Sequence, residues 1–284
     1  MADPRSVRQD ALADLASVRA GSRWVITPEG VRLHVLDYGP DSQQSPLLVL
    51  PGISMPAIGM DFVCSALVDV ARPMVVDLRG RGLSDSADSF TMADYVDDVA
   101  AVVEQLCPRP PSVLGHSLGA RIAVALGVAV PDRVRAVIAV DPPLSGPGRA
   151  PYPTTQQAFL SQLADAQRGT TAEEVARFWP RWTRRELELR SRWLSSCQEA
   201  ALAQTHRGFE TEDFFAGWGA LQRPAVLVRG TGSPVVDDDG FAALRRANPR
   251  AEYAEVAGAG HMVFWDEPEA AAAHLHEALA ALGG

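Results

Sequence analysis

The sequence predicts an α/β fold: a mostly parallel sheet flanked by helices, with a helical cap inserted after the strand that follows a Gly-x-Ser-x-Gly turn. Three observations predict it. Short continuous apolar runs, such as Leu47-Leu48-Val49-Leu50 and Ala136-Val137-Ile138-Ala139-Val140, suit strands buried on both faces, and they alternate with helical stretches. Residues 112–121 pass from a strand pattern to a helix pattern through Gly115-His116-Ser117-Leu118-Gly119. Strand candidates then vanish between about Leu144 and Arg223 and return at Pro224-Ala225-Val226-Leu227-Val228. The chain thus divides into a core of residues 1–143 and 224–284 and a helical cap of residues 144–223.

Size and composition are consistent with this. A chain of 284 residues that is 47% hydrophobic has material for one large domain with an inserted cap. A net charge of −9 argues against nucleic acid or an anionic membrane as the main partner. Cys64, Cys107 and Cys197 are far apart and show no metal-ligand spacing. The N-terminus mixes charge with alanine and lacks the apolar core of a signal peptide, and no run approaches the ~20 apolar residues of a membrane span. The expectation is a cytoplasmic protein that meets a small molecule.

Taken in order, residues 10–19 suit a short helix, and two strands at 24–27 and 31–36 form a hairpin through Pro28-Glu29-Gly30. His34 lies in strand alternation and reads as a sheet-surface residue. The strand 47–50 ends in Pro51-Gly52-Ile53-Ser54, where a glycine lets the backbone turn with its amides exposed. A helix over 57–70 and a strand over 74–77 precede the loop Leu78-Arg79-Gly80-Arg81-Gly82-Leu83-Ser84. Its two arginines read as parts of a loop held by its own hydrogen bonds. Thr91 N-caps a helix running to about Leu106, which Pro108-Arg109-Pro110-Pro111 stops. In the cap the helical stretches are 155–166, 172–179 and 184–203, and four of the six tryptophans fall between 179 and 218, mostly as packing. The last strand covers 251–256, and a final helix starts near Pro268.

The Gly-x-Ser-x-Gly turn carries the chemistry. A sharp strand-to-helix turn exposes a serine hydroxyl at the end of a sheet, and the flanking glycines leave room where strand and helix cross. A serine needs a base, and the base needs an acid to orient it. His261 is the outstanding base, because it follows the last strand within Ala257-Gly258-Ala259-Gly260. His116 sits beside the serine but points away, and His206, His274 and His276 fall on helices. The acid usually follows the next-to-last strand as Gly-x-x-Asp, yet here Gly230-Thr231-Gly232 is followed by Ser233. Asp237, Asp238 and Asp239 read as a helix N-terminus. Asp141, at the end of the strand after the turn, keeps the order Ser, Asp, His and the same sheet edge. The amides of Leu118 and Ile53 are the expected oxyanion donors.

These residues make the chain similar to the α/β-hydrolases and, more narrowly, to the N-formylmaleamate deformylases of bacterial nicotinate degradation. The resemblance lies in Pro51-Gly52-Ile53-Ser54, residues 77–84, residues 115–121, Asp141-Pro142-Pro143-Leu144-Ser145-Gly146-Pro147-Gly148-Arg149, and Gly260-His261-Met262. It implies a triad of Ser117, Asp141 and His261, hydrolysis of a formyl amide to formate and maleamate, and no metal or cofactor. A sister group, the enamide hydrolases of vitamin B6 breakdown, shares the acid placement but resembles residues 142–149 less.

A carboxylated substrate calls for an arginine, and Arg121 and Arg149 are the candidates. Residues 142–223 hold ten arginines against nine acidic residues, so the rest of the chain, at −9 − 1 = −10, is the more repulsive surface for an anion. Ser117 argues against an epoxide hydrolase or a haloalkane dehalogenase, which need a carboxylate nucleophile. A carboxylesterase, a carbon–carbon bond hydrolase and a non-catalytic ligand-binding protein on this fold stay open.

Overall fold

The computed structural model describes residue 7 and residues 9–282. Eight strands form one sheet in the order β1-β2-β4-β3-β5-β6-β7-β8. They are β1 (Gly21–Ile26), β2 (Arg32–Asp37), β3 (Pro46–Leu50), β4 (Arg72–Val76), β5 (Ser112–His116), β6 (Ala136–Val140), β7 (Ala225–Gly230) and β8 (Glu252–Val256). β2 pairs antiparallel with β1 and β4, and every pairing from β4 to β8 is parallel.

The central strands are buried on both faces, and their side chains alternate between two apolar cores. Leu48, Leu50, Met74, Val76, Val113 and Val137 enter one core, while Leu47, Val49, Val75, Leu114 and Ile138 enter the other. The first is closed by α3 (Met92–Leu106), α4 (Leu118–Ala129) and α10 (Asp238–Ala247). The second is closed by α2 (Asp61–Ser65), α11 (Val263–Asp266) and α12 (Pro268–Ala281). Thr91 caps α3 as expected, and Asp94 answers it to complete a capping box. Asp237 caps α10 through the Gly240 amide, with Asp238 and Asp239 in the first turn.

Between β6 and β7 lie α5 (Gln156–Arg168), α6 (Ala172–Ala176), α7 (Arg184–Trp193), α8 (Glu199–Thr211) and α9 (Phe214–Ala220). The stretch expected as one helix over 184–203 is broken at residues 194–198. There Ser196 Oγ donates to Trp193 O and accepts from Gly82 N, and Gln198 N donates to Gly80 O at 2.7 Å. A serine that offers its own hydrogen bonds competes with the helix, and a core loop takes up the backbone.

Three other expectations are corrected. The helix over 57–70 is a 3₁₀ turn (Ala57–Met60) followed by the single turn of α2, with Gly59 a poor helix former at the break. The helix over 10–19 is α1 (Gln9–Leu12) and a 3₁₀ turn (Ala13–Ser17). His34 is not a sheet-surface residue. It is 1% exposed, because loop 78–84 folds over its face of the sheet; its Nδ1 donates to Asp77 at 2.8 Å and its backbone amide to Ser84 Oγ.

Arg79 and Arg81 are structural, with partners reaching beyond their loop. Arg79 pairs with Asp98 of α3 at 2.7 Å. Arg81 donates to Ile53 O, to the Tyr95 hydroxyl and to Thr205 of α8. Among the described residues no helix is long and apolar enough to cross a membrane.

Candidate active site

The site begins where β5 turns into α4. Ser117 has φ 54° and ψ −115°, outside the regions comfortable for a residue with a side chain. A Cβ on Gly115 would fall 2.1 Å from Gly119 O, and one on Gly119 would fall 1.9 Å from Leu50 O. Both positions therefore require glycine for close approach of backbone to backbone. Among the described residues the only other non-glycine residue with positive φ is Asp141, at 47°. It follows β6 directly, and its amide donates to Val228 O at 2.8 Å.

The loop after β8 brings in His261. Gly260 N donates to Asp266 at 2.8 Å, and His116 Nε2 donates to the His261 carbonyl at 2.9 Å, so the loop is held from both sides. His261 Nδ1 lies 2.7 Å from Asp141 Oδ2, and its Nε2 lies 3.2 Å from Ser117 Oγ. With Nδ1 donating to the carboxylate, Nε2 is left to accept from the serine. Asp141 is wholly buried, and burial pushes its carboxyl above the usual range. Donation from His261, from Ser233 Oγ at 2.6 Å and from Gly230 N opposes that push. Ser233, which stands where a carboxylate was expected, is thus a donor to the carboxylate that stands elsewhere. His116 is packed 5.0 Å from the His261 ring, and burial drives its pKa down to about 3. It is therefore neutral here.

Ser117 and His261 line a cavity of about 210 Å³ that Gly52, Ile53, Ser54 and Met55 border from the core, and His116, expected to point away from the serine, lines it too. Ile53 lines the same cavity and Leu118 follows Ser117 at the start of α4, and neither amide has a hydrogen-bond acceptor among the described residues. The cap closes the cavity with Tyr152, Phe159, Trp179, Trp182 and Arg190. Trp182 stacks between Trp179 and Trp265, at 5.1 and 5.0 Å. A second cavity of about 330 Å³ lies against α5 and α6 and shares Gln162, Phe178, Trp179 and Arg190 with the first.

Neither expected arginine lines the Ser117 cavity. Arg121 is buried beneath the cap, where its guanidinium donates to the carbonyls of Pro143, Ser145 and Glu212, so it fastens the segment after β6. Arg149 is exposed and lies over the Phe215 ring at 3.5 Å. Arg190 is the arginine that lines this cavity. It is buried on α7 and donates to Ser54 O at 2.5 Å and Ser54 Oγ at 3.0 Å. Among the described residues no carboxylate pairs with it, and burial lowers its pKa to about 10. Tyr152 was also invisible in the sequence; its hydroxyl lies 3.3 Å from His261 Nε2. Arg190 is one of four arginines on α7, and nothing local marks which of them turns inward.

Residues 46–268 match the alpha/beta hydrolase fold family. The chain is 32% identical over 247 residues to the N-formylmaleamate deformylase of Pseudomonas putida, covering 85% of this chain and 90% of that one. It is 30% identical over 281 residues to the 2-(acetamidomethylene)succinate hydrolase of Mesorhizobium japonicum, covering 92% and 95%. The crystal structure of a serine-to-alanine variant of the N-formylmaleamic acid deformylase from Pseudomonas putida S16 superposes with a TM-score of 0.84. That pair is 36% identical, covering 90% of this chain and 100% of that chain. From its sheet, its Gly-x-Ser-x-Gly turn and these relatives, the chain belongs to the alpha/beta hydrolase fold family.

Proposed function

We propose that the protein is a serine-dependent amide hydrolase that converts N-formylmaleamate and water to maleamate and formate, in the cytoplasm, as a step of nicotinate degradation. The observation that carries this reading is the cavity of about 210 Å³ in which the Ser117–His261 pair and the carboxylate-free Arg190 guanidinium share one wall-to-wall space. A buried cation without a counter-ion is costly, and a substrate carboxylate offsets that cost with a charge-assisted, bidentate contact. The similarity to two hydrolases of small carboxylated amides supports the same substrate class.

The geometry supports the following course for the reaction. Ser117 Oγ attacks the formyl carbon and gives its proton to His261 Nε2, while Asp141 steadies the imidazolium at Nδ1. The carbonyl oxygen gains the negative charge and is held by the Ile53 and Leu118 amides. The C–N bond then breaks, its electron pair going to nitrogen, which takes the proton from Nε2 and leaves as maleamate. Water, deprotonated by His261, attacks the formyl-serine ester and releases formate.

Purified protein is expected to release one formate per N-formylmaleamate consumed, measured with a formate-specific assay. Ser117→Ala is expected to fall below about one-thousandth of that rate. Arg190→Leu is expected to lower kcat/KM by about thirtyfold, mostly through KM, as loss of one charged contact of about 2 kcal/mol requires. Absence of formate alongside good turnover of simple esters overturns the deformylase reading.

A further inference from the structure

We propose that Tyr152 is a catalytic residue whose phenolic hydroxyl donates a hydrogen bond to the leaving group as it separates from the acyl carbon. The proposal rests on the Ser117–His261 reading above and not on the formyl group. Tyr152 comes from the segment between β6 and α5, so it is a group the cap brings to the core's reacting atoms. Its backbone amide is pinned by Glu210 of α8 at 2.9 Å. Its ring is packed against Phe209 at 5.1 Å and against His206 at 6.0 Å, edge to face, and the residue is 6% exposed. A ring held on these sides has little freedom. Its hydroxyl reaches the cavity 3.3 Å from His261 Nε2 and interacts with Ser117.

That position has a chemical meaning. His261 must hand its proton to the departing atom, so the departing atom comes within hydrogen-bonding distance of Nε2. A hydroxyl 3.3 Å from the same nitrogen borders that atom. The oxyanion amides of Ile53 and Leu118 serve the other pole of the tetrahedral intermediate, leaving this pole to the cap. The 3.3 Å contact is long, and Nε2 already accepts from Ser117. The other acceptor within its reach is the Ser117 oxygen, which becomes the acyl-bearing oxygen once attack begins, so the departing atom is the acceptor that gains charge as the bond breaks. As the acyl carbon–nitrogen bond breaks, its electron pair moves to nitrogen and, in an N-acyl amide, partly onto the second carbonyl oxygen. Nε2–H delivers the proton to nitrogen, and Tyr152 keeps its own proton while donating to the charge-bearing atom. Burial pushes the phenol's pKa up, which keeps it a donor.

The test is Tyr152→Phe, which preserves the ring and its packing, assayed on aryl acetates from the para-nitrophenyl to the unsubstituted phenyl ester. A donor to the leaving group matters more as the leaving group becomes a worse one. The loss in kcat/KM is expected to grow from about threefold with para-nitrophenol to about thirtyfold with phenol, and to be at least as large for an amide. A loss that is the same along the series makes Tyr152 a packing residue and overturns the proposal, as does no loss at the phenyl end. Ester turnover without formate release sinks the deformylase assignment alone and leaves this test intact. A wild-type protein idle on every ester and amide overturns the Ser117–His261 reading and this proposal with it.

Discussion

Ser117 and Asp141 hold φ of 54° and 47°, values that a side chain disfavours, and they end neighbouring parallel strands. Such strain persists only where the surroundings over-determine it, at a cost of about 1–3 kcal/mol per residue. Here the turn at Asp141 sets the carboxylate beside both His261 and Ser233. Replacing Asp141 by Asn keeps the shape but puts an amide where the histidine needs an acceptor. We expect Asp141→Asn to lose about 10³–10⁴ in kcat. Asp237→Asn, at the cap of α10, should stay within about twofold, since asparagine caps as well. Steady-state kinetics of the two variants decide it, and the reverse ranking refutes Asp141 as the acid. The placement of Asp141 beside His261 was legible because Ser233 left a gap in a known order. Arg190 and Tyr152 were not legible, since which arginine of α7 turns inward depends on how the cap packs.

At the scale of elements, the crossing of β3, β5 and α4 admits no extra atom. The Cβ that Gly119→Ala would add meets Leu50 O of β3 at 1.9 Å, and that oxygen belongs to the central sheet rather than to a flexible side chain. Overpacking of backbone on backbone should cost at least about 3 kcal/mol. The expected fall in melting temperature is about 6–12 °C. Gly21→Ala, on edge strand β1 with open space around its Cβ, is the control and should shift it by less than about 2 °C. Equal shifts for the two would show that the crossing can relax. The strands here were readable because burial on both faces leaves a continuous apolar run, as in Leu47-Leu48-Val49-Leu50. The break between α7 and α8 was not readable, because Gly80 and Gly82, more than a hundred residues away, take the backbone and side-chain hydrogen bonds that end α7.

Cap and core are joined at many points. Arg81 reaches Thr205, Arg185 pairs with Asp61 at 2.6 Å, and Arg192 pairs with Asp14 at 2.8 Å. Loss of stability in the core is therefore expected to unfold the cap with it. His116 makes that loss depend on pH. Its ring is buried against His261, Phe264 and Trp265, and burial drives its pKa from 6.5 to about 3. The unfolded chain takes up a proton near pH 6.5, whereas the folded one resists until about pH 3. Between those values the unfolded state holds the extra proton, so stability contributed by this site is complete above the upper value and drains away as pH falls. The full loss is on the order of 5 kcal/mol. Denaturant unfolding at about pH 7.5, 6, 5 and 4 tests this against His116→Phe, which cannot take the proton. The variant begins less stable, because the His261 carbonyl loses its donor, and its deficit should shrink or reverse toward pH 4. Two curves that stay parallel across the window would show that acid unfolds the protein through other groups.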